Sequence, residues 1–158
     1  MNKHLPFAIA SLFLLASCSK DKLTTRPTIS IASIDGNLVG PGGAIKVKLD
    51  FLDKDGDVYS ADSSKTSYLY MERERINRRT KPETANSFEY TIPKYPPGST
   101  KGQIEATFAY EDLTAALNPN DLEDGKKESD SVILHISIQD VAGNISDTVT
   151  TKTIVVLR

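Results

Sequence analysis

The chain has 158 residues, of which 19 are basic and 21 are acidic, so its formal net charge at neutral pH is −2. This balance gives no reason to expect nucleic acid as a partner, because nucleic-acid-binding domains carry a clear excess of basic residues. The single cysteine excludes an internal disulfide and a zinc site built from several cysteines.

Residues 1–17 have the three parts of a secretory signal peptide. Lys3 and the amino terminus provide positive charge, and an apolar stretch of 12 residues, 5–16, follows them. A helix needs about 20 apolar residues to span a bilayer, so this stretch is too short to remain as an ordinary membrane anchor. Removal of residues 1–17 would leave 141 residues, the size of one domain.

The next feature is residues 15–18, Leu-Ala-Ser-Cys, which resemble the lipobox of bacterial lipoproteins. The resemblance implies cleavage before Cys18, a diacylglyceryl group on the Cys18 thiol and acylation of the new amine. Two or more acyl chains are enough for stable anchoring, since each buried methylene contributes roughly 0.8 kcal/mol. The expected partner of Cys18 is therefore the lipid bilayer, and its thiol is not available for catalysis.

Residues 18–26 form the lipidated cysteine and a polar tether. Their segment 19–22, Ser-Lys-Asp-Lys, resembles the export signal of surface lipoproteins of Bacteroidetes type, in which a lysine is followed by acidic residues. The resemblance implies lipid anchoring in the outer membrane with the domain at the cell surface. Lys22 departs from the pattern, so exposure on the periplasmic side is the alternative.

After Pro27 the apolar residues recur at every second position, which predicts strands with one buried face. Clear strands are expected over residues 45–51, 88–92, 104–110 and 132–138, and weaker ones over 28–34, 66–76 and 147–157. The side chains expected to point into the core are those of Leu49, Phe51, Phe108, Leu134 and Ile136. The connection 111–130 is long, and residues 113–122 within it fit one short turn of helix.

Seven short strands without a disulfide favour one immunoglobulin-like or fibronectin-like β-sandwich over residues 27–158. A small closed barrel is the alternative. Residues 51–57 (FLDKDGD) and 140–144 (DVAGN) also resemble the Ig-like lipoproteins of Bacteroidetes type, a group without a settled activity. This resemblance implies a fold and a location, and it carries over no catalytic residue.

The densest group of carboxylates is Asp53, Asp55 and Asp57 around Gly56. Alternate carboxylates in a tight turn can supply oxygen ligands to Ca²⁺, which takes six to eight of them. The group is not an EF-hand loop, because Gly56 falls at position 4 and Ser64 stands where the final glutamate belongs. A solvated Asp-Gly turn without an ion is the alternative.

Asp140 and Asn144 extend this prediction to a second loop. In an Ig-like order of strands, the loop after the second strand and the loop before the last one lie at the end where the first strand begins. Any calcium site is therefore expected to combine both loops at the end next to the tether. Calcium is the one candidate cofactor, and the turn without an ion requires none.

Residues 72–81 contain the main basic cluster, and four of its side chains form a candidate surface for a protein, glycan or lipid partner: Arg75, Arg78, Arg79 and Lys81. The favoured interpretation of this segment is a charged edge strand that prevents sheet-to-sheet association, because its acidic residues partly cancel the basic charge.

These features favour a non-catalytic, membrane-tethered module that serves adhesion, interaction or assembly of an envelope complex. An accessory glycan- or nutrient-binding surface lipoprotein is the alternative, although a chain without tryptophan lacks the best ring for stacking on sugars. A hydrolase is less favoured, since His135 is the one histidine after residue 17 and its alternation with core residues predicts that it faces solvent.

Overall fold

The computed structural model describes residues 25–62, 64–77, 83–84, 87–92, 94–115, 117, 120–121 and 127–158. The predicted signal peptide and Cys18 lie outside the described residues, as do Arg78, Arg79 and Lys81 of the predicted basic surface. Within the ranges described, no helix has both the length and the apolar character that a membrane span requires.

Twelve strands and one short helix make up the described part of the chain. In chain order they are β1 (Thr28–Ile34), β2 (Leu38–Val39), β3 (Ala44–Leu52), β4 (Tyr68–Arg75), β5 (Glu83–Thr84), β6 (Phe88–Thr91), β7 (Lys101–Ala109), α1 (Tyr110–Thr114), β8 (Asn120–Asp121), β9 (Lys127–Glu128), β10 (Asp130–Gln139), β11 (Val149–Thr150) and β12 (Ile154–Val156).

The strands form two main sheets. The first sheet has the order β1-β3-β7 and the second has the order β2-β12-β10-β4-β5, with β11 beside β10 and β6 beside β4. Strand β2 pairs in parallel with β12, whereas the neighbouring long strands are antiparallel. A separate two-stranded pair joins β8 and β9. The long strands described here thus make two separate sheets, and the alternative of one closed barrel does not apply to them.

A single core joins the inner faces of both sheets, so the fold is an all-β sandwich. Burial alternates along β3 and along β10, as expected for strands that have one face on a core. The side chains predicted for the core are each at most 2 % exposed, which confirms that prediction: Leu49, Phe51, Phe108, Leu134 and Ile136.

Strand β4 lies inside the second sheet, because it pairs with β10 on one side and with β5 and β6 on the other. The interpretation of residues 72–81 as a charged edge strand is therefore wrong for β4. Its glutamates Glu72 and Glu74 occupy the more exposed face, while Arg73 and Arg75 alternate inward and are 0 % and 4 % exposed.

The connection after β7 is more structured than the sequence indicates. Helix α1 begins at Tyr110, before the predicted turn of helix at residues 113–122. Leu113 and Leu117 are buried and belong to the core. The predicted last strand is also divided, because Thr151 interrupts it and its hydroxyl accepts a hydrogen bond of 3.0 Å from the backbone N–H of Leu134.

Candidate functional site

Three carboxylates from two loops meet at the end of the sandwich where β1 begins. Asp53 and Asp57 lie in the connection from β3 to β4, and Asp140 follows β10 directly. Each offers a carboxylate oxygen, and these oxygens all lie within 4.8 Å of one another. We call Asp53, Asp57 and Asp140 the acidic cluster.

The first loop folds back on Asp53. The backbone N–H of Asp53 donates to the carbonyl of Thr100 (2.8 Å), and the N–H of Asp57 donates to Asp53 Oδ2 (2.8 Å). Between them Gly56 has a φ of +68°, and a Cβ at this position would lie 2.7 Å from the carbonyl carbon of Gly98. Glycine is therefore required for both the backbone conformation and the close approach.

In the second loop, Asn144 holds the carboxylate of Asp140. Asp140 Oδ1 accepts a hydrogen bond from the Asn144 backbone N–H (2.7 Å), and Oδ2 accepts one from Asn144 Nδ2 (2.9 Å). The two loops are joined by the N–H of Val141, which donates to the carbonyl of Asp57 (3.1 Å). Hydrogen bonds thus hold the carboxylates of Asp53 and Asp140 in place and join the two loops.

The acidic cluster is largely removed from solvent. Asp53 and Asp140 are 0 % and 1 % exposed, and Asp57 is half-buried. Burial, followed by the charge of Asp140 and contact with Asp53, raises the pKa of Asp57 to about 6. The three side chains offer carboxylate oxygens as ligands, so the acidic cluster can hold a hard cation or share a proton.

Only three of the five residues considered as calcium ligands belong to the acidic cluster. Asp53, Asp57 and Asp140 come together, whereas Asp55 is exposed and is not part of the group. Asn144 hydrogen-bonds to Asp140 and supports its carboxylate.

Thr25 and Arg26, the described part of the predicted tether, contact the same end of the sandwich. Asn144 Nδ2 also donates to the carbonyl of Thr25 (3.3 Å). Arg26 donates to the carbonyl of Ile145 and forms an ion pair with Asp147 (Nη2–Oδ1, 2.8 Å). These contacts were not predicted, and no local sequence pattern indicates them, since about 120 residues separate the partners along the chain.

Arg75 does not belong to an exposed surface. Its side chain is buried and lies 3.4 Å from Asp130 Oδ1 (measured from Nη1), and Arg158 Nε donates to Asp130 Oδ2 (2.6 Å). The inward position follows from the alternation of β4, and the buried carboxylate compensates the charge.

His135, the one histidine considered in the sequence analysis, has local partners. On the more exposed face of β10, His135 Nε2 lies 3.0 Å from Glu74 Oε2 and Nδ1 lies 3.2 Å from Thr150 Oγ1. The ring of Tyr95 packs edge-on against Phe51 with centroids 5.2 Å apart, so it supports the core.

No family model and no curated protein matches the chain. Among solved structures, the sporulation control protein Spo0M from Bacillus subtilis is 14 % identical, with 84 % of this chain and 50 % of that chain covered and a TM-score of 0.41. The alkylpurine DNA glycosylase AlkC from Pseudomonas fluorescens is 5 % identical, with 85 % and 31 % covered and a TM-score of 0.41. A β-glucosidase from Listeria innocua is 7 % identical, with 84 % and 16 % covered and a TM-score of 0.40. The chain thus spans half or less of each of these proteins, and the likeness assigns neither a family nor an activity to it.

Proposed function

We propose that the chain is a lipid-anchored, Ig-like module that is tethered through Cys18 to the bacterial outer membrane. In this proposal it is non-catalytic and presents a binding surface for adhesion or for assembly of an envelope complex. Residues 1–17 are the signal peptide, 18–26 the lipidated tether and 27–158 the Ig-like domain. The domain faces the cell surface.

The order of the strands supports the Ig-like assignment. Strands β1, β3 and β7 correspond to strands A, B and E of an Ig-like sandwich. Strands β4, β6 and β10 correspond to C, C′ and F, and β11 with β12 corresponds to G. The two sheets then have the memberships A-B-E and G-F-C-C′, as in fibronectin-like domains.

The observation that carries the proposal is the lipobox-like segment 15–18 directly after an apolar stretch. The contacts of Thr25 and Arg26 with one end of the sandwich support the orientation of the domain. Thr25 is seven residues after Cys18, a span of at most about 25 Å. The end that holds the acidic cluster would therefore face the membrane. The opposite end would project by about the length of the ten-residue strand β10, roughly 33 Å.

Burial of the acidic cluster supports a role other than hydrolysis. A carboxylate pair that cleaves a glycosidic bond must touch its substrate on both sides of the scissile bond. Asp53 and Asp140 are at most 1 % exposed, and both carboxylate oxygens of Asp140 accept hydrogen bonds from Asn144. This is the arrangement of a structural or ion-binding group rather than of an open catalytic cleft.

The anchor is tested by Cys18→Ala in the full-length chain. We expect the variant to remain an unprocessed or mislocalised precursor, while the native protein enters the membrane fraction and gains the mass of its acyl chains. Ser17→Ala is the matched control, because it keeps both the cysteine and a small residue before it. An unmodified mature N-terminus, or cleavage elsewhere, would show that the lipoprotein proposal is wrong.

The side of the membrane is tested separately by protease treatment of intact cells. Digestion of the native protein, with a periplasmic marker left intact, is expected for a surface domain. Protection on intact cells with digestion after lysis would place the domain in the periplasm and would contradict the surface assignment.

A further inference from the structure

We propose that Asp53, Asp57 and Asp140 bind one calcium ion at the tether end of the sandwich. This inference goes beyond the proposed function, because it concerns a site that an anchored module does not require. It also stands on different observations, since none of its ligands belongs to the signal peptide or to the tether.

The burial and incomplete hydrogen bonding of the Asp53 carboxylate point to a bound cation. Its side chain is 0 % exposed, and Oδ2 accepts the hydrogen bond from the N–H of Asp57. Asp53 Oδ1 is buried and has no hydrogen-bond partner among the described residues, and the same is true of Asp57 Oδ1. Buried carboxylate oxygens without a donor are costly unless a cation or a proton compensates them.

The spacing of the cluster fits calcium. Ca²⁺ binds oxygen at about 2.3–2.6 Å, so two oxygens on one ion are at most about 5 Å apart. The three carboxylate oxygens already lie within 4.8 Å of one another, and they can therefore share one ion without movement of the loops. The hydrogen bonds donated by Asp57, Asn144 and Val141 hold the two loops in this geometry before an ion arrives.

The chemistry of the ligands selects a hard cation. The group contains carboxylates and neither histidine nor cysteine, which disfavours zinc and copper. Calcium is preferred to magnesium because calcium tolerates irregular geometry, whereas magnesium demands a near-ideal octahedron and keeps most of its waters. Extracellular calcium modules commonly bind in the range of about 10⁻⁴ to 10⁻³ M, which sets the concentrations to be tested.

The direct test is a calcium titration of the full-length protein, purified in mild detergent and freed of metal with EDTA. Calorimetry measures the stoichiometry, and thermal unfolding measures the shift in Tm. We expect one ion per chain and a rise of several degrees in Tm at 5 mM CaCl₂, because an ion that binds the folded state stabilises it. An equal concentration of MgCl₂ should give a clearly smaller shift.

Two variants separate a bound ion from a group of carboxylates with a purely structural role. Asp57→Asn removes one ligand and also one of three crowded charges, so it should abolish the calcium shift while leaving Tm in EDTA unchanged or raised. Asp140→Asn should reduce calcium affinity at least tenfold. Asp35→Asn is the matched control, since Asp35 is exposed at the opposite end of β1 and should leave the calcium shift intact.

Three outcomes would overturn the inference. The native protein could show no calcium-specific binding or shift at 5 mM, in which case a shared proton stabilises the cluster instead. The calcium shift could persist in both Asp57→Asn and Asp140→Asn, which would place the ion elsewhere. Magnesium and calcium could act equally in the native protein and in both variants, which would indicate non-specific screening. The readouts do not depend on lipidation, so failure here leaves the anchor proposal untouched.

Discussion

A few residues with unusual backbone or burial determine the shape of the tether end. Gly56 is buried and has a positive φ, and the backbone of Gly98 lies against it. The backbone N–H of Gly98 donates to the carbonyl of Gly56 (3.2 Å), which fixes the distance between the two turns. The position of Asp53 relative to Asp57 therefore depends on a residue without a side chain.

We expect Gly56→Ala to lower the free energy of unfolding by about 2–5 kcal/mol. A positive φ costs a non-glycine residue roughly 1–2 kcal/mol, and displacing the Gly98 backbone adds an overpacking cost of about 1–3 kcal/mol. Gly36→Ala is the matched control, because Gly36 has a φ of +82° but nothing within 4 Å of its Cβ position. Urea unfolding should show a smaller loss for Gly36→Ala, and equal losses would contradict the close-approach argument.

The acidic residues show how much of the candidate site could be predicted from the sequence. The local pattern and the expected strand order were enough to predict that Asp53, Asp57 and Asp140 would lie together. The pattern could not exclude Asp55, because the direction of its side chain depends on the backbone around Gly56. Asn144 was predicted as a ligand, since an amide oxygen suits calcium, but its side-chain amide is used as a donor to Asp140.

Among the elements, β4 departs most from its sequence pattern. Strand β4 has charged residues at four successive positions, 72–75, which resembles a solvated edge. The inward side chains Arg73 and Arg75 are tolerated because the core supplies partners for them. The guanidinium of Arg73 lies 4.5 Å from the ring centroid of Phe88 and donates to the carbonyl of Asp112, while Arg75 lies beside Asp130.

Alternation along a strand predicts which residues share a face, and this is why the five core positions could be predicted. It does not predict which face is buried when both faces carry charge. The position of β4 in the sheet depends on the distant strand β10, which pairs with it over eight residues. The local sequence does not indicate that pairing, and the interpretation of β4 as an edge strand was therefore wrong.

We expect Asp130→Ala to lower the free energy of unfolding by about 3–5 kcal/mol. Removal of one member of a buried ion pair leaves its partners charged and desolvated, and Asp130 is 0 % exposed beside Arg75 and Arg158. Asp147→Ala breaks an exposed pair with Arg26 and should cost at most about 1 kcal/mol. Chemical denaturation measures both values. A loss below about 1 kcal/mol for Asp130→Ala would show that the buried group contributes little to stability.

At the scale of the whole molecule, one residue connects the proposed tether to the acidic cluster. Asn144 connects Asp140 to the carbonyl of Thr25 through its side-chain amide. An ion that fixes Asp140 would also fix Asn144 and, through it, the point where the tether leaves the sandwich. Calcium would then set how freely the module moves relative to its anchor.

This coupling is tested with a nitroxide label at Thr25→Cys, because acylation of Cys18 would leave the new cysteine as the single free thiol. The label replaces an exposed side chain and leaves intact the carbonyl that accepts the hydrogen bond from Asn144. Electron paramagnetic resonance should show a less mobile label in 5 mM CaCl₂ than in EDTA. A label at Asn37→Cys is the control, since Asn37 is exposed at the opposite end of the sandwich and its mobility should not respond.

The variant Asn144→Ala then identifies the route of the coupling. It should remove the calcium response of the label at position 25 while leaving a calcium-dependent rise in Tm, because the carboxylates of Asp53, Asp57 and Asp140 remain. Unchanged mobility at position 25 in a protein whose Tm rises with calcium would show that the ion binds without restraining the tether. If the calcium response of the label persists in Asn144→Ala, the coupling runs through Arg26 instead, which contacts Ile145 and Asp147 in the same loop.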